Sequence, residues 1–161
     1  MTVKEVLDFL WTVAPPEYTE DWDNVGLLCG RTGREVTKVL IALDPTEAVA
    51  AEAAEKGCEL VVTHHPLIFR PQNAVTDQAL TGRRLLAFAE RGLAVICMHT
   101  NLDCTPGGVN DALAARLALA RTEILDDGET LGLIRIGEVP EQTVEFFLRR
   151  VKTVLRCPGL R

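Results

Sequence analysis

Three short aliphatic runs, separated by two helix-favouring stretches, constrain the fold of this chain more than any other feature. Val36 to Leu43, Glu59 to Thr63 and Leu93 to Met98 are rich in β-branched and aliphatic residues, the composition of strands. Between the first two lies Glu47 to Lys56, alanine-rich and strongly helix-favouring. Thr46 stands where an N-cap belongs, and Gly57 where a left-handed residue closes a helix. Between the second and third runs, Ala79 to Glu90 reads as another helix, closed by Gly92. Parallel strands need crossovers of this length. The alternation therefore predicts an α/β fold: a mostly parallel sheet with crossover helices.

The flanks add elements to this core. Thr2 and Glu5 have the spacing of a capping box. Val6, Leu7, Leu10, Val13 and Ala14 then recur at helical spacing until Pro15-Pro16 stops the helix. Gly26 to Gly30 reads as a short strand between glycines. Cys104 to Gly108 reads as a loop, Val109 to about Leu119 as a short helix and Thr130 to Glu138 as a strand. Val144, Phe147, Leu148, Val151 and Leu155 form an apolar stripe at helical spacing, and Cys157 to Arg161 reads as the start of a linker. A chain of 161 residues with 47% apolar side chains can bury a core as a single domain over 1–161.

Composition excludes several function classes. A net charge of −6, without a Lys/Arg run, argues against binding a nucleic-acid polymer or an anionic membrane, since both need a basic face. No run approaches the roughly 20 apolar residues of a membrane span. Five cysteines with no Cys-x-x-Cys pair, and no secretory leader pattern, point to a reducing cytoplasm. No Walker A, dinucleotide or Gly-x-Ser-x-Gly motif is present.

All the imidazole sits at the ends of two predicted strands. His64-His65-Pro66 follows the second run, and His99 follows the third, with Asp103 four residues on. In an open α/β sheet ligands bind at such strand ends. Imidazole and carboxylate ligate Zn²⁺, Mn²⁺, Fe²⁺ and similar ions. Adjacent residues of an extended strand face opposite ways, so a tandem pair rarely chelates one ion while extended. At a strand end it can instead offer one ring to each of two neighbouring ions. His64, His65 and Asp103 are the candidate metal ligands. His99 alone is as well explained as a hydrogen-bonded supporting residue. A thiolate site from Cys97, His99 and Cys104 lacks a fourth ligand at zinc-finger spacing. No residue is assigned a catalytic step.

The motifs, taken in order, resemble those of the dinuclear metal-centre hexameric protein family, also called the GTP cyclohydrolase I type 2 family. They are Trp22-Asp23-Asn24-Val25-Gly26-Leu27, Val62-Thr63-His64-His65-Pro66-Leu67-Ile68-Phe69, His99-Thr100-Asn101-Leu102-Asp103 and Gly108-Val109-Asn110. The resemblance implies the first half of that family's fold, a ring-shaped homohexamer and two divalent ions per subunit. It places His64, His65 and Asp103 as ligands and His99 close to the metals. It further implies a metal-dependent hydrolase acting on a nucleotide or phosphoester, or else a non-enzymatic metal-binding scaffold. Family members also carry a later histidine and glutamate. No histidine follows His99 here, so three of five expected ligands are present and the site is expected to be incomplete in this chain.

Overall fold

The strands of the central sheet run in the order β1-β4-β3-β2. They comprise Gly26–Cys29 (β1), Val39–Ala42 (β2), Leu60–Thr63 (β3) and Ala94–Cys97 (β4). The structure is a computed structural model and describes residues 1–125 and 128–160. Strands β2, β3 and β4 pair in parallel, and β1 is an antiparallel edge on β4. This sheet belongs to the first of two compact units, Met1–Leu102; the second is Asp103–Arg161.

Helix α1 (Val3–Val13) starts at the expected capping box: Thr2 accepts from the Glu5 backbone, and Glu5 accepts from the Thr2 N–H at 2.7 Å. It ends before Pro15-Pro16. The crossover helices are α2 (Glu47–Glu55), capped by Thr46, and α3 (Leu80–Glu90). Gly57 and Gly92 adopt φ of +66° and +64° just past these helices, a conformation that costs glycine no steric penalty.

The period-2 alternation of the buried strands divides the core in two. Leu60, Ala94 and Ile96 face α1, where they pack with Val3, Leu7 and Leu10. Val61 and Val95 face α2 and α3, where they meet Ala50, Ala53, Leu85 and Phe88. Helices therefore cover both faces of the sheet, which explains why β4 is buried along its whole length.

The chain around Asp103 differs from the loop expected there. Thr100–Cys104 forms a short helix, α4. Its first backbone N–H, that of Thr100, donates to Asp23 at 3.1 Å, and the His99 N–H just before the helix donates to the Asn101 side chain at 3.0 Å. The boundary between the units falls after Leu102.

The second unit contains α5 (Val109–Arg116), β5 (Ala120–Ile124), β6 (Arg135–Glu138) and α6 (Val144–Leu155). The strand expected over Thr130 to Glu138 is confined to β6, which pairs antiparallel with β5. Strand β5 is exposed throughout and has no apolar alternation by which it could be read from sequence. Arg135, with a side chain only 5% exposed, pairs with Asp111 and donates to the Cys104 carbonyl at 3.1 Å. Helix α6 carries the expected stripe and starts at Thr143, whose side chain accepts from the Phe146 N–H. Of the expected linker, Arg161 lies outside the described residues.

Candidate metal centre

Strands β3 and β4 are in register at Thr63 and Cys97, so their C-terminal ends lie side by side. His64 and His65 follow β3 directly, and His99 follows β4 after Met98. The strand stops at Thr63 and the chain bends through the two histidines. The bend matters because an extended pair would send its rings to opposite faces. Instead the ring centroids of His64 and His65 are 5.1 Å apart. Those of His64 and His99 are also 5.1 Å apart, and those of His65 and His99 5.7 Å. One ring nitrogen from each histidine lies within 4.8 Å of the others.

Backbone hydrogen bonds hold the bend. His64 N–H donates to Ala42 O at 3.3 Å, and His65 N–H to Leu43 O at 2.9 Å, which prolongs the pairing with β2. The Thr63 hydroxyl donates to His65 O at 2.8 Å. Cys97 Sγ donates to His64 O at 3.1 Å, and burial pushes its thiol far above the usual range. Cys97 therefore acts as a small buried hydrophobe and hydrogen-bond donor, not as a thiolate ligand.

Each imidazole is also oriented through Nδ1. His64 Nδ1 lies 3.0 Å from the Met98 carbonyl, His65 Nδ1 2.8 Å from Asp44 Oδ1 and His99 Nδ1 2.9 Å from Asp23 Oδ1. A carbonyl or carboxylate oxygen accepts, so Nδ1 carries the proton in all three rings. The lone pair of the neutral imidazole is then on Nε2. Metal-binding histidines are commonly oriented in this way, by an oxygen on the ring nitrogen that does not touch the ion. The donor set suits Zn, Fe or Mn better than Mg or Ca, which prefer oxygen.

Asp23 and Asp44 were not assigned a role from the sequence. Asp44 stands just past β2, at the same sheet edge as the histidines, and that position was its available signal. The Asp23 side chain is fully buried. Burial opposes its ionisation, but hydrogen bonds from the Thr100 hydroxyl at 2.6 Å, His99, and the Asn24 and Thr100 N–H groups outweigh it. Its carboxyl is held below the usual carboxylate range. Of the sequence candidates, the structure brings together His64, His65 and His99. Asp103 belongs to the second unit, on α4.

The model of the Duf34/NIF3 (NGG1p interacting factor 3) family matches residues 1–161. The chain belongs to this family. Among its Duf34/NIF3 relatives is a Clostridium perfringens protein named GTP cyclohydrolase 1 type 2 homolog. It is 35% identical over 165 residues, covering all of this chain and 63% of that protein. A crystal structure of a Staphylococcus aureus hypothetical protein superposes with a TM-score of 0.88 at 31% identity, covering 100% of this chain and 66% of that one. Reduced HcgD from Methanocaldococcus jannaschii gives a TM-score of 0.81 at 34% identity, over 95% of this chain and 60% of HcgD. This Duf34/NIF3 chain thus spans about six-tenths of the length of such curated relatives, 63%, 56% and 62% for three of them. Among the described residues no helix is long and apolar enough to cross a membrane.

Proposed function

We propose that this chain carries the histidine side of a divalent-metal centre in a metal-dependent hydrolase. The observation that carries the reading is the set of three imidazoles at adjacent strand ends, each fixed through Nδ1 by an oxygen. Three histidines so oriented need a common purpose, and ligation is the chemistry this arrangement serves best.

His64 and His65 would hold the ions, with Asp44 keeping the His65 ring in place. Asp103 joins them as the carboxylate ligand. It comes four residues after His99 in the sequence. His99, locked by Asp23, orients water or substrate beside the ligands. Divalent ions held there would supply Lewis-acid polarisation of a substrate oxygen and would lower the pKa of a bound water. The substrate class is a nucleotide, as the GTP in the name shared by several relatives suggests, or another phosphoester. Two ions per subunit and a homohexameric ring complete the reading. Exposed apolar side chains such as Ile41, 81% exposed, and Leu43 favour burial against further protein. Five free cysteines accord with a cytoplasmic location.

The test is hydrolysis of GTP and of p-nitrophenyl phosphate in metal-replete and chelator-treated buffer. Turnover should require metal and vanish in His65→Ala. Equal turnover by wild type and His65→Ala would overturn the reading.

A further inference from the structure

Beside the histidines stands a second group of side chains that the metal centre does not use. Trp22 and Phe69 are 57% and 41% exposed. Their rings meet edge to face, with centroids 6.1 Å apart. Phe69 in turn meets the His99 ring edge to face, at 6.5 Å and 84°. An unbroken run of rings therefore leads from Trp22 at the surface to the imidazole cluster. Scattered surface aromatics need no explanation, but contiguous ones beside a polar site do.

This run is held in place. Asn24 Nδ2 donates to Ile68 O at 2.6 Å, tying the segment that bears Trp22 to the segment that bears Phe69. Asp23, next to Trp22, is buried under His99 and Thr100. Leu67, two residues before Phe69, is buried in the core. The Arg70 guanidinium lies over the Phe69 ring, 5.7 Å from its centroid, and among the described residues no carboxylate pairs with it. The result is a preorganised aromatic wall, a cation at its edge and nitrogen ligands at its inner end. An aromatic wall selects flat rings, because every base presents a π-face to it, and a guanidinium selects phosphate or carboxylate oxygens.

We propose that Trp22, Phe69 and Arg70 form a recognition surface for a planar heteroaromatic ring bearing an anionic group, and that they direct such substrates to the histidine cluster in preference to simple phosphoesters. The proposal rests on the metal-hydrolase reading for what happens next, but binding at the wall does not itself need the metal.

The experiment uses 2-aminopurine riboside 5′-monophosphate, whose fluorescence falls on stacking, competed by GMP, guanosine or ribose 5-phosphate. Zinc bound per chain is measured in parallel by elemental mass spectrometry. GMP should compete at least about tenfold better than ribose 5-phosphate. Trp22→Ala should abolish that preference and Trp22→Phe should retain it, with zinc content and circular dichroism unchanged in both. Arg70→Ala should weaken GMP several-fold and leave guanosine unaffected. No probe binding by the wild type, equal competition by GMP and ribose 5-phosphate, or wild-type probe affinity in Trp22→Ala would each overturn the proposal. Zinc binding fails separately: a chain that takes up no zinc yet prefers GMP would sink the metal reading and keep this one.

Discussion

Asp23, its side chain fully buried, accepts the Nδ1 proton of His99 at 2.9 Å, and the same carboxylate caps the start of α4 through Thr100. One residue therefore sets both the ring orientation and the backbone that follows it. Replacing it with asparagine removes the charge and one acceptor from a buried network. Leaving such donors without their partner costs about 1–3 kcal/mol. Asp23→Asn should accordingly lower stability by that amount in urea denaturation at neutral pH.

The pH dependence of this effect has a definite sign. Asp23 titrates below its usual value in the folded protein, so its carboxylate stabilises the fold above the ordinary carboxylate range. That contribution fades as pH falls through the folded value. The stability difference between wild type and Asp23→Asn should be full at pH 7 and should shrink below the ordinary value of 3.8. Denaturation midpoints measured down to about pH 3 check this. A difference that grows on acidification would contradict it.

Asp44 acts on His65 as Asp23 acts on His99, but from a more exposed position. Outer partners of metal-binding histidines typically contribute 10–100-fold to affinity. Asp44→Asn should weaken zinc binding within about that range and leave thermal stability nearly unchanged. Competition with a chromophoric chelator reads the first, and a melting curve the second.

Gly82 tests the packing of α3. Glycine to alanine inside a helix ordinarily stabilises by up to about 1 kcal/mol. Here an added Cβ would stand 2.0 Å from the Thr76 carbonyl oxygen, and backbone must move to admit it. Overpacking of this kind costs about 1–3 kcal/mol and outweighs the helical gain. Gly82→Ala should therefore destabilise the protein, as a lowered urea midpoint would show.

Much of this architecture was legible from local pattern. The caps at Thr2 and Thr46, the glycines at 57 and 92, and the aliphatic runs that became β2, β3 and β4 all depend on neighbours in sequence. What escaped depends on distant partners. Helix α4 is capped by Asp23, 77 residues from Thr100, so the sequence around His99 reads as a loop. Strand β5 exists because β6 pairs with it, and its own residues show no alternation. The histidine pair was legible as two rings at a strand end, but their anchoring was not. Asp44 reaches its ring only once β2 and β3 pair in parallel, and Asp23 only once β1 pairs antiparallel with β4.

The most direct test of the central claim is equilibrium dialysis of the chain against zinc, comparing wild type with the His64→Ala/His65→Ala double variant. The wild type should take up about one or two ions per chain, and the double variant almost none while remaining folded. Equal zinc uptake by the two proteins, or no uptake by the wild type with zinc in excess, would contradict it.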